Sequence, residues 1–187
     1  MKQQKLIEFF KRPSVFHGLL TGLLILAAKF VFYVSHHWEY VHSPSFPYLT
    51  FLLIAISIFM AANAEKKLNG APFTYWKAFL SGVIVISATV IISLLADQIL
   101  YRIIDTTLKE QTVAIQMEMF QEGIAKVNVF SNEQKDQMIE EIKKSDPSSF
   151  YNFFMGIVVK VFFNSLFLLI IALFTRQKVD KNQWLHE

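Results

Sequence analysis

The sequence predicts an all-α fold, a four-helix transmembrane bundle with a helical periplasmic segment between helices 3 and 4. Three observations carry that expectation. Hydrophobic residues make up 53% of the chain, 19 residues are Phe, only 18% are charged and the mean hydropathy is +0.38, which is the composition of a membrane protein. Four apolar runs approach or exceed the ~20 helical residues that a hydrocarbon core of ~30 Å requires. Between the third and fourth runs the sequence turns polar, yet apolar residues recur there at helical spacing. The chain reads as a single integral membrane domain over 1–187.

Taken in order, residues 1–12 (MKQQKLIEFFKR) are a basic start in which Leu6, Ile7, Phe9 and Phe10 cluster, as in an amphipathic turn lying at an interface. Pro13 separates them from a first span at about 15–35. Its small pair Ala27-Ala28 is followed by Lys29 and more apolar sequence, so the span reads as uncleaved. The loop SHHWEYVHSPSFP has no Lys or Arg, and its Trp and Tyr suit a membrane interface. A second span at about 47–64 ends in EKKLNGAP, where Asn-Gly and Pro break the helix. The third span, about 73–104, contains Asp97.

The polar segment 105–149 places Leu108, Ile115, Met119, Ile124 and Val127, then Met138, Ile139 and Ile142, at helical intervals. Thr107 with Glu110 and Ser131 with Gln134 fit capping boxes, which predicts two helices. No Gly or Pro interrupts Asp105 to Glu122, so the third span could also run straight on. The cap at Thr107 argues for a break. Asp146-Pro147 reads as an N-cap followed by Pro at the first helical position, leading into the fourth span at 150–175.

Lys and Arg near span ends set the orientation. Lys2, Lys5, Lys11 and Arg12, then Lys66, Lys67 and Lys77, then Arg176, Lys178 and Lys181 all fall on one side. The first loop has none, and the 105–149 segment has five Lys against nine acids. Both termini are therefore expected on the cytoplasmic side of a bacterial inner membrane.

Ionisable residues inside spans are costly and mark sites by default. Three occur: Lys29, Asp97 and Lys160. Helical spacing puts Gly18, Gly22, Lys29 and His36 on one face, Ser93, Asp97 and Tyr101 on another, and Asn152, Gly156, Lys160 and Asn164 on a third. Thr50, Ser57, Ala61 and Ala64 mark the matching face of the second span. Small and polar stripes are helix contacts in membranes, so a compact bundle with a partly polar interior follows. Depth favours a Lys29–Asp97 pair, with Lys160 close enough to share the carboxylate and Asn164 completing the polar core. Two cations against one anion leave a surplus positive charge, to be neutralised, carried outward by a snorkelling side chain, or met by an anion such as a lipid headgroup. The bland reading is an ion pair that fixes helix register. The sharper one is transport or proton relay.

Other classes have little support. A net charge of +3, located at span ends, does not argue for nucleic acid, and the absence of Cys removes thiolate metal sites and disulfides. His36, His37, Glu39 and His42 supply metal-ligand types without a recognised spacing, so they are weak metal candidates. No phosphate loop, nucleophile elbow or paired acids appear; an enzyme is not expected, and no cofactor is implied. Gly18-Leu-Leu-Thr-Gly22 fits a close-packing motif, usable within the bundle or for self-association.

The layout resembles a family of small bacterial inner-membrane proteins, frequent in Bacteroidetes, known as domain of unknown function 4199. The resemblance rests on Phe16-His17-Gly18, on the stretch from Gly70 through Phe73-Thr74-Tyr75-Trp76-Lys77-Ala78-Phe79, and on Leu100-Tyr101 with Ile103-Ile104-Asp105. Similar proteins often continue with Pro where this chain has Thr106. The resemblance implies location and topology, and no activity. The expected role is thus a non-enzymatic membrane component embedded in the lipid bilayer, binding lipid or a protein partner, the latter through 105–149 or the Gly18/Gly22 face. The alternative is a small transporter or channel subunit using Lys29, Asp97 and Lys160.

Overall fold

Four helices are long and apolar enough to cross a membrane, by length and composition: Pro13–Val34, Ser45–Leu68, Tyr75–Ile104 and Phe150–Thr175. The structure, a computed structural model, describes residues 11–43, 45–69, 73–125 and 131–175. Lys2, Lys5, the Gly70–Pro72 turn, Val127 and the tail with Arg176, Lys178 and Lys181 lie outside the described residues, as does the side chain of Ile124. In chain order the helices are α1 (Pro13–Val34), α2 (Glu39–His42), α3 (Ser45–Asn69), α4 (Tyr75–Ile99), α5 (Leu108–Ala125), α6 (Asn132–Lys144) and α7 (Phe150–Thr175). The fold is all-helical.

Local chemistry explains most boundaries. Pro13, whose fixed φ suits a first turn, starts α1 two residues before the expected bound. At its other end His36 takes a left-handed conformation (φ 59°). The amides of His36 and His37 bond back to the carbonyls of Tyr33 and Phe32 at 3.1 and 2.9 Å, closing the helix as a Schellman turn. Helix α3 outlasts its apolar run because Lys66 and Lys67 sit favourably in its last turn.

The third span does not run on. After Ile99 the helix widens into a π turn over Leu100–Ile104, closed by the Asp105 amide on the Leu100 carbonyl at 2.9 Å. Asp105 then goes extended, and its Oδ1 accepts from the Thr107 amide (2.9 Å) and hydroxyl (2.6 Å). That side-chain turn redirects the chain into α5 without help from Gly or Pro. The capping box at Ser131 is present in both directions: Ser131 Oγ accepts from the Gln134 amide, and Gln134 Oε1 from the Ser131 amide. Asp146-Pro147 does not cap the fourth span. Asp146 bends onto Ser148 instead, and Ser149 Oγ accepts the Asn152 amide at 3.1 Å, so α7 begins at Phe150.

Helix α4 is central and touches α1, α3 and α7. Gly18 and Gly22 are what let α1 approach it. A Cβ on Gly18 would lie 2.8 Å from Ala88 Cβ, and one on Gly22 2.8 Å from Ile92 Cβ. The Thr89 hydroxyl donates to the Gly18 carbonyl across this seam at 3.0 Å. The small-residue face is therefore used inside the chain. Ile54, Ile58, Ala61, Val85, Ile86, Val90, Leu94 and Leu168 form an apolar core at mid-bundle. Large apolar side chains such as Phe162, Phe174 and Leu173 point outward, as a lipid-facing surface requires. At the opposite end Trp38, Phe46, Leu100, Tyr101 and Leu108 cluster, fixing α2 and α5 to the bundle. Helix α6 packs on α5 and buries none of its residues.

Candidate functional site

Lys29 sits on the Gly18/Gly22 stripe of α1, one helical repeat beyond Gly22, so the seam that draws α1 to α4 also carries its side chain inward. Its ammonium bonds Asp97 Oδ1 at 2.6 Å, Ser93 Oγ at 3.0 Å and the Ser93 carbonyl at 3.1 Å. Ser93 and Asp97 are one turn apart, which aligns both acceptors on one face. All three ammonium hydrogens are used. The side chains of Lys29 and Asp97 are only 5% and 15% exposed. A pair this dry holds register, because removing either partner strands a charge.

Lys160 is placed differently. It lies about ten residues into α7, roughly 15 Å along the axis, and helical side chains lean toward the helix N-terminus. Its ammonium is thus carried toward the α5–α6 end. Among the described residues its side chain has no ion-pair or hydrogen-bond partner and is exposed, although it sits within a span. Asn164 donates to the Lys160 carbonyl at 2.6 Å, which leaves the Asn164 amide oxygen unused.

That exposure is toward two cavities. The first, about 560 Å³, lies between α3 and α7 over α1 and α4, with Phe46, Phe51, Ile54, Val90, Phe163 and Phe167 giving it a mostly apolar wall. The second, about 650 Å³, lies beneath α5 and α6 and is more polar, with Gln98, Gln116, Glu141 and Asn152 among its lining residues. Both are open. His42, Asp97 and Lys160 line both cavities. The structure therefore brings Lys29, Asp97, Lys160 and Asn164 to one region, with a surplus cation at the junction.

The weak metal candidates are dispersed. His37 Nδ1 faces Glu39 at 3.2 Å in solvent, and His36 lines a separate cleft with Tyr33 and Asp105. Among the described residues no three His, Asp or Glu groups converge as metal ligands. His42 instead turns inward, edge-on to Trp38. Burial pushes its imidazole below the ordinary value of 6.5; Asp97 opposes this, while Lys29 and Lys160 reinforce it.

Thr112 links this cluster, accepting from Trp38 Nε1 at 3.1 Å and lying 3.4 Å from both Tyr101 Oη and His42 Nε2. Sequence reasoning missed Trp38 and Thr112 as site residues. The available signal was a hydroxyl at 112 on the same stripe as Leu108 and Ile115, where an apolar side chain belongs.

The sequence pattern of one family, described as Protein of unknown function (DUF4199), matches residues 17–177. No curated protein and no solved structure matches the chain. The match takes in the first apolar helix from His17 onward, the other three entire, both cavities and every residue of the charged cluster. This chain belongs to the DUF4199 family of proteins of unknown function.

Proposed function

We propose that this chain is a non-enzymatic component of a bacterial inner membrane that holds the anionic head of a phospholipid inside its bundle. The observation that supports the reading most is Lys160, an ammonium without a partner among the described residues, on the wall between an apolar cavity and a polar one. Acyl chains suit the Phe-lined side, beside the Phe51–Phe167 ring contact, and a polar head suits the other. An uncompensated ammonium among apolar groups costs several kcal/mol, which an anion removes. In the orientation proposed here α5 and α6 are periplasmic and both termini cytoplasmic. Its support is the basic end of the bundle, where Lys11, Arg12 and Lys77 line one cleft.

The test is lipid retention. Wild type, Lys160→Arg and Lys160→Met are purified from membranes in mild detergent, and native mass spectrometry counts the phospholipid carried by each chain. Wild type and Lys160→Arg should retain lipid and Lys160→Met should lose it. Equal retention by all three contradicts the reading.

A second reading, a small transporter, is favoured by Asp97 lying on the wall of both cavities. It requires proton flux in proteoliposomes that Asp97→Asn abolishes. The lipid reading requires none.

A further inference from the structure

The second cavity has a chemistry of its own, and it narrows the headgroup. Beside Lys160 it presents the carboxylates of Asp97 and Glu141 among amides and hydroxyls that both donate and accept, including Gln116, Tyr101 and Ser145. Asn152 spends one of its two amide N–H groups on the Asp146 carbonyl at 2.8 Å, and its oxygen remains available. Gln98 likewise spends one on the Pro147 carbonyl at 3.5 Å. Glu141 lines the cavity from α6, exposed and without an ion-pair partner among the described residues, whereas its neighbour Glu140 is taken by Lys144 at 2.6 Å. Asp97 receives Lys29 on Oδ1 alone. A phosphate seated at Lys160 would share its chamber with the Glu141 carboxylate, which has no ion-pair partner among the described residues.

We propose that the occupant is a zwitterionic phospholipid of the ethanolamine class, with phosphate at Lys160 and primary ammonium directed to Glu141 and the amide oxygens. This rests on the lipid reading given above. The positive charge of a primary ammonium matches Glu141, and its three N–H donors suit a carboxylate beside amide oxygens. A choline head has the charge but no donor, and a glycerol head has donors but no charge. Glu141 is the selective element, because Lys160 attracts the phosphate of all three alike.

The experiment offers the full chain defined dioleoyl-phosphatidylethanolamine, -phosphatidylglycerol and -phosphatidylcholine in equal amounts in detergent, and counts bound species by native mass spectrometry. Glu141 is exposed, and exposed charge pairs are weak, so wild type should prefer the ethanolamine lipid by about two- to fivefold. Glu141→Gln should remove most of that preference and Glu141→Lys should reverse it toward phosphatidylglycerol. Both variants should fold, since α6 buries no residue; circular dichroism checks this. Equal binding of all three lipids by wild type, or an ethanolamine preference that survives both changes, overturns the headgroup assignment. If in those cases Lys160→Met still loses every lipid, the lipid reading stands. If Lys160→Met binds as wild type does, the lipid reading fails and the headgroup assignment fails with it.

Discussion

Asp97 carries the clearest consequence at the scale of single residues. Asp97→Asn leaves Lys29 without its counter-charge in a site that is 5% exposed. Breaking a buried pair from one side costs about 3–5 kcal/mol in soluble proteins, whereas a neutral hydrogen bond inside membrane bundles is worth ~0.6 kcal/mol. The charge should dominate. Detergent-solubilised Asp97→Asn is expected to melt clearly below wild type, and adding Lys29→Met should recover much of the loss. Lys160→Met should rescue less, because Lys160 makes no ion pair with Asp97. Failure of either lysine change to rescue would mean that the Asp97 charge is balanced elsewhere.

His42 gives a pH dependence of definite sign. Its folded-state value lies below the ordinary 6.5, so the unfolded chain takes up the proton first as pH falls. Stability from this group is therefore complete above 6.5 and declines below it. The carboxyls of Asp105 and Asp146, held down by Thr107 and Ser148, lose their contributions only below the ordinary 3.8, in a separate window. Melting compared at about pH 8 and about pH 5.5 should show a smaller acid loss for His42→Gln than for wild type. The depth of Lys29 and Asp97 was legible because residue counts along a helix convert directly to height. The inward turn of His42 was not, because it depends on the Trp38–Thr112 bond between residues far apart in sequence.

At the scale of elements, the four long helices were legible from apolar length, and the Ser131–Gln134 box from its spacing. The end of α4 was not. Pattern alone allowed both a continuous helix and a break, since nothing in Asp105–Glu122 forbids a helix. The break comes from one carboxylate accepting two hydrogen bonds from Thr107, a geometry that composition does not announce. The start of α7 was likewise displaced, because Asp146 folds onto Ser148 and leaves capping to Ser149. Asp105→Ala should lower the melting temperature slightly, because it removes the acceptor of both Thr107 hydrogen bonds. It should also loosen the angle between α4 and α5. Spin labels at Ile99 and Met119 should report a broader distance distribution in the variant. An unchanged distribution would place the cause of the break elsewhere.

For the whole molecule, an apolar core fills mid-bundle, and two open cavities share a charged wall between it and the α5–α6 end. The proposed orientation makes the end with Lys11, Arg12 and Lys77 cytoplasmic. Reporters fused within Glu65–Asn69 should be cytoplasmic and those at Asn132 periplasmic; the reverse would invert the lipid leaflet in question. The surplus positive charge was legible from counting ionisable residues in spans. The cavities that give it meaning were not, because they arise where α3 and α7 splay and where α5 and α6 bridge the end.

The most direct measurement is photocrosslinking in native membranes, with a benzophenone amino acid at Phe51, half-buried on the wall of the first cavity, or at Phe162, which faces outward. Both positions should yield phospholipid adducts. Introducing Lys160→Met should abolish the Phe51 adduct and leave the Phe162 adduct unchanged. Adducts at both positions that are indifferent to Lys160 would contradict a lipid site in the bundle.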